Sequence, residues 1–170
     1  MKEIIYNNDN LELSDVTSIS VRIKVLLINN NKLIIGNEEG CYMFIGGHKE
    51  DNEELIDTLK REVKEETGIK LDKEIINEPF LKIMYLNKDY PEIGENRESD
   101  IYYYAVKTNK LPDLENVNYT ENELKKHFEL INIDLDNAIK IIKENIPNHK
   151  KNEVISRDMI IALEEYERIK

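Results

Sequence analysis

Three glutamates, Glu62, Glu65 and Glu66, fall close together in the stretch 47–69, GHKEDNEELIDTLKREVKEETGI. On a helix turning about 100° per residue, Glu66 sits about 40° to one side of Glu62 and Glu65 about 60° to the other. Leu55, Ile56, Leu59 and Val63 occupy the adjoining arc, so the acids line one border of the stripe such a helix would bury. Like charges on so narrow an arc repel, and a cation relieves them. Carboxylates are hard oxygen ligands that leave positions open to water, which suits Mg²⁺ or Mn²⁺. A Gly46-Gly47 turn opens the stretch after an apolar run, and Gly68 closes it.

The stretch resembles the Nudix box, G-x5-E-x7-R-E-U-x-E-E-x-G-U with U apolar. Gly47, Glu53, Arg61, Glu62, Val63, Glu65, Glu66, Gly68 and Ile69 occupy every fixed position. Seven fixed residue types at ordinary usage make a chance match rarer than about one in 10⁸ per start position. The family often has Pro before the two glycines, where this chain has Ile45; that position shapes a turn. The resemblance implies an α/β fold, an α/β/α sandwich with a mixed sheet between helices. It implies that Glu62, Glu65 and Glu66, with the Gly47 carbonyl, hold Mg²⁺ or Mn²⁺, and that water cleaves a diphosphate in a nucleoside diphosphate derivative. Glu65 is assigned a dual role as ligand and base. Glu53 and Arg61 are assigned to holding the carboxylates, since Arg61 precedes Glu65 by one helical turn and can pair with it or with Glu53. The family places its base variably, which makes Glu98, Glu121 and Glu123 further candidates, each also readable as a solvated acid.

The elements around the box must position it. A chain of 170 residues predicts one domain, 1–170. Residues 3–6 and 11–13 are expected to pair as an N-terminal hairpin or arm over 1–16. Strands are expected over 20–28, 32–35, 41–45, 80–86 and 100–106, the last two apolar on both faces and therefore central. The box helix is expected to start near Asp51 or Asn52 and to stop at Thr67, with Gly68 as its left-handed end. Long loops are read at 88–98 and 107–122, then an apolar run at 127–133. C-terminal helices follow over 134–170, the first capped by Asp134 and the second, 153–169, carrying Ile155, Met159, Ala162, Leu163 and Tyr166 as a stripe. Helices in mid-chain and at the end predict a sheet covered on both sides.

Composition excludes several functions. The formal net charge is −11, which disfavours DNA and anionic membrane as partners. No apolar run approaches the roughly 18 residues of a membrane span, and the N-terminus lacks the apolar core of a signal peptide. The lone Cys41 fits a reducing compartment; the expected location is the cytoplasm. The expected partner is a small nucleoside diphosphate derivative, and relatives in the family are often homodimers. The competing reading is a nucleotide-sensing module that binds without cleaving. Such relatives usually have a degraded box or a DNA-binding domain, and the terminal helices here are too short and acidic for a winged helix on DNA.

Other residues invite a role. His48 reads first as a turn residue and second as a substrate contact. Of Tyr102, Tyr103 and Tyr104, at least two belong to the core. Tyr90 and Tyr119, in loops, are the better candidates for stacking on a base. Arg22 suits a phosphate contact or a surface salt bridge, and Cys41 a small buried apolar position.

Overall fold

The fold is organised on one long strand, β2 (Ser18–Asn29), whose run VRIKVLLI buries side chains on both faces. The computed structural model describes residues 1–72 and 74–170. Around β2 the chain lays β1 (Lys2–Tyr6), β3 (Lys32–Glu38), β4 (Cys41–Phe44), β5 (Leu81–Asn87), β6 (Arg97–Lys107) and β7 (Glu129–Asp134). The helices are α1 (Leu55–Thr67), α2 (Glu121–Lys125), α3 (Ala138–Asn145) and α4 (Asn152–Ile169). The sheet runs β1-β5-β6-β2-β3-β4, with β7 on β3. It is mixed: β1 with β5 and β2 with β6 are parallel, and the other pairs are antiparallel.

Side chains alternate along β2 and build two cores. Ile23, Val25 and Leu27 join Leu59 and Val63 of α1. Leu26 and Ile28 join Ala138 and Ile142 of α3 and Met159, Ala162, Leu163 and Tyr166 of α4. Each fully buried aliphatic side chain contributes roughly 1.5–3 kcal/mol, so Leu59 and Val63 anchor the box helix firmly to the sheet. The expected layering, helices on both faces of a mixed sheet, is what the chain adopts.

Several expectations need correcting. The N-terminal hairpin over 1–16 does not form. β1 pairs in parallel with β5, because Ile4 and Tyr6 are covered by the α4 core, and Tyr6 stacks on Tyr85 at 5.0 Å. Residues 11–13 turn away instead: the Asn7 side chain closes the turn onto both backbone groups of Leu11, and Leu11 packs on Met84 and Leu86. The box helix starts at Leu55, later than Asp51 or Asn52, because Asn52 takes a left-handed φ of 64°. Asp134 does not cap α3 directly; its carboxylate accepts from the Asn137 backbone and side chain in the turn before Ala138. The stretch 107–122 is not all loop, since α2 begins at Glu121 behind a capping box of Thr120 and Glu123. The last residues of the 88–98 loop belong to β6. Gly68 ends α1 as expected, at φ 73°, and a Cβ there would lie 2.1 Å from the Asp113 carbonyl.

Candidate active site

β2 and β4 share one edge of β3 in succession. After Phe44 the chain crosses back to β2, where Ile45 and His48 bridge Val25 and Arg22. Backbone N–H groups of Ile23 and Val25 donate to the carbonyls of Gly47 (3.0 Å) and Ile45 (2.9 Å). Two glycines are required at this crossing. Gly46 has φ 126°, and a Cβ on it would lie 2.4 Å from the Ile23 carbonyl oxygen. A Cβ on Gly47 would lie 2.5 Å from Glu62 Oε1. The backbone is thus pressed between β2 and the carboxylate of Glu62.

Arg61 organises the acids. Its Nε and Nη2 donate to the two oxygens of Glu53 at 2.7 and 3.0 Å, a fork-on-fork pairing. Nη1 donates to Glu62 Oε1 at 2.8 Å and to Glu65 Oε2 at 3.0 Å, and Nη2 also reaches the His48 carbonyl at 2.9 Å. Glu53 accepts further from the Glu50 N–H and the Thr58 hydroxyl. The hydrogen bond from Arg61 is the main reason its carboxyl drops to about 2.

The remaining acids sit differently from expectation. They do not all lie on the border of the buried stripe: Glu62 and Glu66 are inside it, at 9% and 6% exposure, and only Glu65 sits on the rim. Burial pushes the Glu62 carboxyl up, against the pull of Arg61. Burial pushes Glu66 up to about 8, opposed by the Lys24 ammonium and reinforced by Glu62. Glu66 Oε2 accepts from the Gly46 N–H at 3.1 Å. Lys24 itself is lowered by burial; its ammonium donates to the carbonyls of Phe44 and Gly46, bracing the crossing from the other side. A lysine within the apolar run of β2 was the available signal for this residue, and sequence reasoning passed over it.

These side chains line one cleft of about 540 Å³, with Gly46, Gly47, His48, Arg61, Glu62, Glu65 and Glu66 on one wall and Asn118, Tyr119, Thr120 and Glu123 on the other. The second wall comes from the segment leading into α2, held to α1 by the bond from Asn118 N–H to Glu65 O at 2.8 Å. The T-x-x-E capping signature at Thr120–Glu123 was legible and would have placed this wall. Of the three outlying acids, only Glu123 lies on the cleft. Glu121 is exposed and pairs with Lys125. Glu98 lies away from it on β6, where burial and Asp100 raise its carboxyl. Tyr119 lines the cleft, edge-on to Phe128 at 5.1 Å, whereas Tyr90 lies elsewhere, beside Arg97. Tyr103, Tyr104 and Cys41 are buried. Arg22 bonds His48 Nε2 at 2.8 Å.

Glu62, Glu65 and Glu66 face one cleft, but Arg61 takes an oxygen from each of the first two. Among the described residues no three His, Cys, Asp or Glu side chains stand close enough to hold a metal ion as arranged. The donor set still suits a hard dication. It is all oxygen, and it contains two buried carboxylates whose anionic forms are disfavoured where they stand.

Buried acids are thus gathered at a glycine crossing beside a mixed sheet held between helices. The model of the NUDIX domain matches residues 19–148, and the chain belongs to the Nudix family of hydrolases, which act on pyrophosphate bonds. No curated protein sequence matches it. Among solved structures, the ORF135 protein of E. coli is similar at 15% identity and TM-score 0.51, over 76% of this chain and 82% of that one. The MutT protein of Bacillus halodurans is similar at 16% identity and TM-score 0.51, over 71% and 72%. At these identities the likeness bears on the fold. Among the described residues no helix is long and apolar enough to cross a membrane.

Proposed function

We propose that the protein hydrolyses a diphosphate linkage in a nucleoside diphosphate derivative, with Mg²⁺ or Mn²⁺ as cofactor, in the cytoplasm. The observation that carries this reading is the gathering of Glu62, Glu65 and Glu66 on one cleft, two of them buried against their electrostatic preference. Such an arrangement is costly unless a cation enters. Glu62, Glu65 and Glu66 would hold the ion, with the second lone pair of the Gly47 carbonyl, whose first accepts from Ile23. The ion supplies charge neutralisation for the phosphates and makes water a better nucleophile at neutral pH.

The chain's own residues divide the rest of the work. Arg61 is a positioning residue: it ties Glu62 and Glu65 to Glu53 and to the His48 carbonyl, and touches no substrate. Glu65, the least buried acid of the three, takes the proton of the attacking water. The water oxygen bonds to phosphorus as the bridging P–O bond breaks, and the leaving phosphate departs with the bridging oxygen. Glu123 also lines the cleft and is the alternative proton acceptor; Glu98 and Glu121 do not line it. Tyr119 supplies an aromatic surface on the second wall.

The test is turnover of a panel of nucleotide sugars, ADP-ribose, dinucleotides and nucleoside triphosphates with Mg²⁺ or Mn²⁺ supplied. Release of a mononucleotide or pyrophosphate is expected from at least one class, abolished by EDTA. Binding without any cleavage across the panel would replace this reading with a nucleotide-sensing module.

A further inference from the structure

A cavity larger than the acidic cleft, about 690 Å³, lies past the C-terminal ends of β2 and β6, beside the last turn of α4. A void of about 320 Å³ adjoins it, and the two share Ile75, Lys107, Tyr166 and Lys170. Together they form one groove, in the size range of small-molecule sites, roughly 300–1,000 Å³. It has no lining residue in common with the acidic cleft. Along β2, Ile28 at the groove stands five residues beyond Ile23 at the glycine crossing, roughly 17 Å at about 3.3 Å per residue.

The body of the groove is apolar. Ile28, Leu135 and Tyr166 line the larger part, and Phe80, Ala105 and Ile169 the smaller. Ile75, 80% exposed, borders both. The charges of the larger part are mostly taken. Lys110 pairs with Glu74 at 3.3 Å and Asp72 at 3.6 Å, and donates to the Lys70 carbonyl. Glu74 also accepts from the Thr108 hydroxyl. Lys170 pairs with Glu167 at 2.6 Å, and the Asn31 side chain donates to Asp136. Lys107, Asn30 and Asn109 are left over: among the described residues no hydrogen bond or ion pair ties their side chains. The smaller part adds a carboxylate, Glu78, and no further cation.

This distribution selects a ligand. One ammonium and two amides suit a single carboxylate. A phosphate ester carries close to two negative charges and would meet Glu74 and Glu78 with one uncommitted cation to offset them. A neutral alkyl molecule would leave Lys107 and the amides without a role, and a small bare acid would leave the apolar walls without one. Glu78 repels a charged head from the smaller part and so fixes which end the tail occupies. We propose that the groove binds a medium-chain monocarboxylate, its head on Lys107, Asn30 and Asn109 and its alkyl tail along Tyr166, Ile75 and Ile169. The site is independent of the hydrolase reading, and either can fail alone.

The experiment is calorimetric titration of the whole protein in EDTA with octanoate, butyrate and 1-octanol. Octanoate is expected to bind, with butyrate and 1-octanol each at least about tenfold weaker, the first for want of four methylenes and the second for want of the charge. Lys107→Gln should weaken octanoate by about tenfold. Ile75→Asp, which sets a like charge beside both parts of the groove, should weaken it by at least about tenfold. Both side chains are exposed, so neither variant removes core packing. Glu66→Gln, in the acidic cleft, should bind octanoate as the parent does. The proposal is overturned if octanoate fails to bind at about 10 mM, if butyrate or 1-octanol binds as tightly, or if either groove variant binds octanoate unchanged. Loss of binding in Glu66→Gln would overturn it as well, by moving the site to the cleft.

Discussion

The acidic cleft beside α1 and a basic cavity at the start of α4, lined by Arg22, Arg97 and Arg157, are neighbours joined through Arg22 and His48, yet they are assembled in opposite ways. Three of the cleft's acids, Glu62, Glu65 and Glu66, come from one helix, at spacings that put them on a common arc. The cavity's arginines come from three elements distant in the chain: β2, β6 and α4. The cleft holds buried carboxyls whose charged forms burial disfavours, with Glu66 raised to about 8. The cavity holds charges that are mostly satisfied, Arg157 by Asp158 and Tyr85 and Arg97 by Glu95. Titratable groups held away from their ordinary state are what a site keeps when chemistry is to be done there; paired, fixed charge suits recognition.

The largest effect that would break this contrast lies in the cleft. Glu66→Gln is expected to lower turnover by about 10²–10⁴-fold, the scale on which such groups act, while the thermal unfolding midpoint stays the same or rises. Near-parental turnover would remove the metal role of Glu66. Arg61→Lys comes next. Lysine cannot reproduce the fork onto Glu53, and losing a group that orients ligands typically costs about 10–100-fold. The loss should appear in metal titrations as weaker Mn²⁺ affinity, which a purely structural arginine would not alter. Glu123→Gln should cost about tenfold if it shares proton transfer with Glu65, visible as a shift of the acid limb of the pH–rate profile. Glu98→Gln, outside the cleft, should change turnover less than twofold.

A smaller and separate prediction concerns pH and stability in EDTA. Glu66 has a folded-state value of about 8 against an ordinary 4.5, so the folded protein binds more protons between those values. Its contribution to stability is present below about pH 4.5 and is lost as pH rises towards 8. Glu53, at about 2 against 4.5, acts in the opposite sense. Its contribution is present above pH 4.5 and is lost as pH falls towards 2. Melting curves of the parent and Glu66→Gln should therefore diverge progressively from pH 4.5 to 8, the variant being the more stable. Parallel curves would mean that Glu66 is not held in the disfavoured state described.

Much of the fold could be read from the chain, because the strands of the cores have strong apolar patterns. β2, β5 and β6 lie where their two-faced apolar runs predict, and α4 carries the expected stripe. Two of the failures share one cause. The N-terminal residues have a local turn signal, but their partner is β5, some 80 residues along, and no local pattern encodes that pairing. The acids of α1 looked like a border because helix geometry alone cannot say where the covering sheet ends. Contact with the 45–48 crossing moved Glu62 and Glu66 inside.

Read alone, the sequence determined the composition of the acidic site, since residues three and four apart on a helix are neighbours in any fold that keeps the helix. It likewise determined that the helix must stop at Gly68, where φ 73° excludes most side chains. Only the tertiary structure decided which of those acids lose their water, that Lys24 and Glu123 face them, and that three arginines from separate elements meet around a tyrosine stack. Burial and long-range charge depend on which surfaces the folded sheet brings together, and the spacing of residues along the chain does not contain that information.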